Sequence, residues 1–172
     1  MSADIIHPGH INILKVASSY GEVIVGLLTD QAIASYKKLP LMDYEERFKV
    51  IEGIKYVSKI VKQDTLDYSK NLLEIKPKYV VHGDDWKKGI QKKTRQKVIK
   101  LLKKNKGKLI EIPYTKNISS SSIKSDLINH LTPTSRVSIL KRLIDSKNIV
   151  RILESHSPLS GLIAENIKFQ RG

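Results

Sequence analysis

The sequence predicts an α/β protein whose strands run parallel in one sheet, with helices on both faces. Three observations carry this. Short β-branched runs alternate with helical patterns, the connections between them are short, and hydrophobic residues make up 40% of the 172. Gly9–Tyr20 reads as the first helix, with Pro8 suited to its opening turn. Glu22–Thr29 (EVIVGLLT) is an apolar run of strand length. Tyr44–Tyr56 then reads as helix, Ser58–Lys62 as strand, Tyr68–Ile75 as helix and Tyr79–His82 (YVVH) as strand. Ile90–Lys106 places Ile90, Val98, Ile99, Leu101 and Leu102 on the buried stripe of an amphipathic helix. Lys108–Ile112 (KLIEI) is the last strand of this series. After Leu131-Thr132-Pro133-Thr134-Ser135 a new start follows, with Val137–Ser146 helical, Ile149–Leu153 strand-like and Leu159–Asn166 helical.

Composition removes several classes of function. No apolar run reaches the roughly 18 residues that a membrane-spanning helix needs. Met1-Ser2-Ala3-Asp4 has no basic stretch followed by an apolar one, so no secretory leader is read there. The count of zero cysteines excludes disulfides, thiolate metal sites and a thiol nucleophile. The expectation is a cytoplasmic protein without membrane partners. The net charge of +14 is concentrated between Lys87 and Lys108, where eleven basic residues meet no acidic one. Such a stripe attracts polyanions, and a non-catalytic basic module that binds nucleic acid is the alternative from a different class. Aromatic residues at 6% are too scarce for a base-stacking platform, so the stripe reads first as a solvated helix face.

In a parallel sheet, ligands bind beyond the C-terminal strand ends, and three motifs fall at such places. His7-Pro8-Gly9-His10 stands at the entry to the first helix. Two imidazoles three residues apart, with free N–H groups at a helix start and a Gly that admits close approach, suit a phosphate chain. Zinc lacks a third ligand at usual spacing. His82-Gly83-Asp84-Asp85-Trp86 follows a strand and offers a sharp turn, carboxylate acceptors and a flat indole face. Asn117-Ile118-Ser119-Ser120-Ser121-Ser122-Ile123-Lys124 offers hydroxyls at another helix start.

Ser2–His10, Gly83-Asp84-Asp85-Trp86 and Ile118-Ser119-Ser120-Ser121 together resemble the motifs of the HxGH nucleotidyltransferases. The most similar branch is the cytidylyltransferases, such as glycerol-3-phosphate cytidylyltransferase, over Met1 to about Leu127. The resemblance implies a Rossmann-like nucleotidyltransferase fold and transfer of CMP from CTP to a phosphate or phosphonate oxygen, with Mg²⁺ and release of pyrophosphate. It implies that His7 and His10 act on the triphosphate, and that Lys37 or Lys38 is a phosphate-binding lysine. Ser2, Ala3, Asp4 and Gly9 would belong to the nucleotide loop, and Arg47 would open the next helix. Asp85 and Trp86 would hold the cytidine and the hydroxyls of Ser119, Ser120 and Ser121 the phosphates, with Gly83, Asp84 and Ile118 also in the nucleotide site. No metal ligands are identified, and the family allows a homodimer.

Two departures stand out. The family has a strand ahead of its histidine loop, for which no residues precede Met1, so a gap in the sheet is expected. The family also has an arginine where Tyr114 stands. In addition, Ser138–Phe169 is similar to the opening of phosphoenolpyruvate mutases, which are (β/α)₈-type barrels. The expected organisation is therefore a nucleotidyltransferase domain over 1–131, a linker over 132–137 and the truncated start of a mutase-like barrel over 138–172. That pairing implies a phosphonate acceptor such as 2-hydroxyethylphosphonate or 2-aminoethylphosphonate. The alternatives are glycerol 3-phosphate or another phosphorylated alcohol, and adenylyl transfer.

Overall fold

In the computed structural model, the described residues are 1–87, 89–113, 133–147, 149–150 and 153–167. Helix α1 (Pro8–Ser18) begins at the His7 cap, with Pro8 in the first turn, where its missing N–H is no loss. Then come β1 (Ile24–Leu28), a short α2 (Asp30–Ala34) and α3 (Tyr44–Glu52), the last opened by a capping box of Asp43 and Glu46. Strand β2 (Lys59–Gln63), α4 (Ser69–Ile75), β3 (Tyr79–Gly83), α5 (Lys92–Lys104) and β4 (Lys108–Ile112) complete the alternation. Two further helices are α6 (Pro133–Ser146) and α7 (Pro158–Asn166).

Among the described residues all strand pairing is parallel, as expected, but in place of the single sheet there are two strand pairs. β1 pairs with β2, from Ile24 opposite Lys59 to Leu28 opposite Gln63. β3 pairs with β4, from Tyr79 opposite Lys108 to Gly83 opposite Ile112. Between the two pairs, among the described residues, Met1 alone contributes. Its amino group donates to the Gly26 carbonyl, and its carbonyl accepts from the Leu28 N–H at 2.9 Å. That is the ladder pattern of a parallel residue opposite Leu27. Upstream of that point β1 meets a slot instead of a strand.

Each pair has its own core. Ala3, Leu14, Val25, Leu27 and Ile51 pack under β1 and β2, while Leu72, Trp86, Val98 and Leu102 pack under β3 and β4. Several expectations need correction here. Ile90 is 55% exposed, because Gly89 at φ +70° breaks the helical phase and α5 starts only at Lys92. The third helix ends at Glu52, short of Tyr56, because the chain turns at Gly53–Val57 to enter β2. Helix α6 takes in most of the segment 132–137 that reads as a linker, and it packs against α2. Ile149, Val150 and Leu153 are not in a strand, and residues 151 and 152 lie outside the described residues. Tyr114 and the Asn117–Lys124 motif also lie outside them.

Candidate active site

A cavity of about 730 Å³ runs along the slot between the two strand pairs, from Gly21 and Pro77 at their N-terminal ends to Leu28 and Gly83 at their C-terminal ends. Ser2, His7, Gly9, His10, Lys37, Gly83 and Asp85 line its C-terminal end, with Tyr36 and Tyr68 beside them. The structure thus brings together seven of the residues singled out from three separate stretches of chain.

The histidines are held by the backbone they cap. His7 Nδ1 accepts from the Gly9 N–H at 3.2 Å, and His10 Nδ1 accepts from the His7 N–H at 3.4 Å. An Nδ1 that accepts carries no proton, so each neutral ring bears its proton on Nε2 (an inference from the bonding). The two rings sit 4.0 Å apart between centroids. Burial, then the neighbouring His7, lowers the His10 pKa to about 4, and burial also lowers that of His7. Near neutral pH the site therefore offers two neutral N–H donors, with a helix N-terminus beneath them.

The sign of this shift makes a prediction. A histidine whose folded pKa lies below its unfolded value disfavours folding once it protonates. For His10 the penalty should grow as pH falls from about 6.5 to 4. Melting curves of the free protein over that range should show falling stability. His10→Asn, which keeps a donor but does not titrate, should flatten the fall; an unchanged slope would contradict it.

Cations lie across from the histidines. Lys37 Nζ donates to Ser2 Oγ at 2.8 Å and lines the cavity, whereas Lys38 is exposed and does not line it. Of the two lysines left open by the sequence, only Lys37 faces the site. Arg47 is fully buried. It donates from Nη1 to the Ser2 carbonyl and from Nη2 to Asp30 Oδ1, both at 2.7 Å. It therefore acts on the nucleotide loop through protein partners. Ala3 is buried at φ 51°, and the turn it makes sends Asp4 inward, where Asp4 Oδ1 accepts from the Leu41 N–H at 2.6 Å. Asp4 thus ties the loop to the segment carrying Lys37.

On the other wall, a Cβ on Gly83 would come 3.0 Å from Asp85 Oδ1, so glycine leaves room for that carboxylate. Asp85 is half exposed and faces His82 Nδ1 at 3.8 Å, while Asp84 turns to Lys87. Trp86 does not present an open face. It is 1% exposed and lies under His82, with centroids 3.8 Å apart and planes 6° apart. Its ring fixes the turn and leaves the cavity to its neighbours. The sequence reading missed Glu111, which accepts from Trp86 Nε1 and from Arg95 Nε and Nη2, each at 2.9 Å. The Arg95 hydrogen bonds, helped by the Trp86 N–H and opposed by burial, lower the Glu111 pKa to about 2. Its place at a strand end was the available signal.

Known proteins resemble this chain in sequence and in fold. The cytidylyltransferase-like family matches residues 2–126. An FAD synthase of Archaeoglobus fulgidus is 37% identical over 82 residues, 48% of this chain and 60% of that protein. An ethanolamine-phosphate cytidylyltransferase of Dictyostelium discoideum is 29% identical over 122 residues, 70% of this chain and 33% of that protein. The chain thus spans less than two thirds of these curated relatives. The lipopolysaccharide core biosynthesis protein of Thermoplasma volcanium GSS1, known from a crystal structure, shares the fold. It has a TM-score of 0.55 and 24% identity, covering 69% of this chain and 93% of that one. Because the match takes in the histidine loop, both strand pairs and the Gly83–Trp86 turn, the chain belongs to the cytidylyltransferase-like family.

Proposed function

We propose that this chain transfers CMP from CTP to a phosphonate oxygen, releasing pyrophosphate. The observation that carries nucleotidyl transfer is the convergence of His7, His10 and Lys37 on one end of a single cavity, with Asp85 on the facing wall. The acceptor oxygen forms a bond to the α-phosphorus, the bridging α–β P–O bond breaks, and the electron pair leaves with pyrophosphate. Such a reaction needs little covalent help from protein; it needs alignment and charge against the phosphoryl oxygens. The Nε2–H donors of His7 and His10 meet the oxygens on which charge grows. Lys37 supplies the cation, and Asp85 is placed to accept from the nucleoside.

Among the described residues no three His or acidic side chains converge on a common point. Asp4 is already engaged with the backbone of Leu41. Mg²⁺ takes many of its ligands from substrate phosphates and water, so it would enter on the triphosphate, beside Asp85. There it would neutralise phosphate charge.

The phosphonate acceptor rests on the likeness of Ser138–Phe169 to the opening of the mutases. Exposed Val137, Leu140 and Ile144 on α6 and Leu159, Leu162 and Ile163 on α7 suit helices that continue into further structure. A second reading, adenylyl transfer to a flavin nucleotide, is favoured by the 37% identity to an FAD synthase. Pyrophosphate release decides between them. CTP and ATP would each be offered with 2-hydroxyethylphosphonate, 2-aminoethylphosphonate, glycerol 3-phosphate, ethanolamine phosphate and FMN. Turnover with CTP and a phosphonate is expected. Turnover with ATP and FMN alone would overturn the proposal in favour of the second reading.

A further inference from the structure

Helix α6 is separated from the nucleotide loop by more than a hundred residues of sequence, yet one of its side chains reaches the supports of the site. Arg142 donates from Nη1 to the Leu41 carbonyl at 2.7 Å. From Nη2 it donates to the Met42 carbonyl at 3.1 Å and to Asp30 Oδ2 at 2.9 Å. The other Asp30 oxygen is held by Arg47, which in turn holds the Ser2 carbonyl. The Leu41 N–H is bonded to Asp4, three residues before His7. Both routes from Arg142 therefore end on the nucleotide loop.

We infer that Arg142 is a positioning residue for nucleotidyl transfer, fixing the segment 37–43 so that Lys37 faces the histidines. This rests on the function proposed above. The chemistry of the pair explains why an arginine stands there. One carboxylate is shared by two guanidinium groups, with Asp30 at 19% side-chain exposure and Arg142 at 23%. A planar fork can serve two carbonyls and a carboxylate together, whereas an ammonium on a flexible stem is a point donor. Lys37 itself reaches the site from a segment pinned at its far end by buried Leu39 and Pro40 and by the two carbonyls that Arg142 holds. Without that grip the segment keeps its apolar anchor but loses the restraint on its polar backbone. A phosphate-binding cation displaced by a fraction of an ångström loses much of its effect on the transition state.

The test combines kinetics with a measurement that needs no turnover. Arg142→Ala should lower kcat roughly tenfold or more, and Arg142→Lys should recover only part of the loss. Both variants keep the α6 sequence otherwise intact, and their melting curves would verify folding. On a Lys37→Ala background the Arg142→Ala change should cost clearly less than in the unaltered chain, because the part of its effect that passes through Lys37 is already lost. Amide exchange at 37–43, and at Leu41 above all, should accelerate in both Arg142 variants. Wild-type turnover in Arg142→Ala, or losses that multiply in the double variant, would overturn the inference while leaving the proposed function standing. If the unaltered chain turns over no nucleotide with any acceptor, the proposed function falls. Unchanged exchange at Leu41 would then remove the clamp as well, and faster exchange would retain it.

Discussion

Replacing His10 with alanine should lower kcat by roughly a hundredfold or more, with a much smaller change in KM for the nucleotide. That is the scale of losing one preorganised donor aimed at developing charge. The split between kcat and KM follows from the geometry. In the proposed reaction, ground-state binding of a nucleotide would be shared among the α1 N-terminus, Lys37 and the Gly83–Asp85 wall, whereas the His10 Nε2–H would matter most when charge builds at the α-phosphorus. His7→Ala should behave similarly, and both variants should lose some stability, because His7 Nδ1 caps the Gly9 N–H and His10 Nδ1 the His7 N–H. Steady-state kinetics with pyrophosphate detection would measure both. Near-normal turnover of His10→Ala would remove that residue from the reaction.

The second large effect concerns the slot. An extended apolar segment of five residues placed ahead of Met1 should raise the melting temperature and strengthen CTP binding. Met1 already sits in register opposite Leu27, so the segment would continue a ladder whose partners on β1 are in place. On its other side lies the Tyr79–Gly83 strand, which also lines the cavity. Unpaired edge N–H and C=O groups on both strands would gain partners, and apolar walls would lose contact with water. A net gain of about 3 kcal/mol would raise Tm by roughly 10 °C for a chain of this size. Thermal unfolding of both chains, with and without CTP and Mg²⁺, checks it. Cooperative unfolding and strong stabilisation by CTP in the chain without the extension would show that its loop is already anchored.

The alternation of strands and helices was legible because β-branched runs and amphipathic stretches have different periods, and four strands fell within two residues of their expected ends. The division of the sheet has a different cause. Strand order depends on which edges find partners, and among the described residues Met1 alone adds to the β1 edge away from β2, with one residue of ladder. Helix α2 was invisible, since five residues (DQAIA) are too few to show a helical period. At the site, local motifs brought His7, His10 and Asp85 together because each stands next to a strand or helix end. The role of Arg47 was not legible: its side chain turns inward to Asp30, a tertiary fact without a local signal. Trp86 misled for a similar reason. An aromatic residue in a loop motif reads as a binding face until its own neighbour, His82, is seen to occupy it.

That stacked pair has an optical consequence. Trp86 is the sole tryptophan of the chain, so all indole emission comes from a ring parallel to the His82 imidazole. A protonated imidazole against an indole drains its excited state far more than a neutral one. Burial keeps the His82 pKa below its ordinary value, so the emission should hold steady through neutral pH and dim only in acid. His82 also lines the cavity beside Asp85, so whatever enters there alters the surroundings of the fluorophore's partner. The protein carries an unlabelled reporter of occupancy one ring away from where the base would lie.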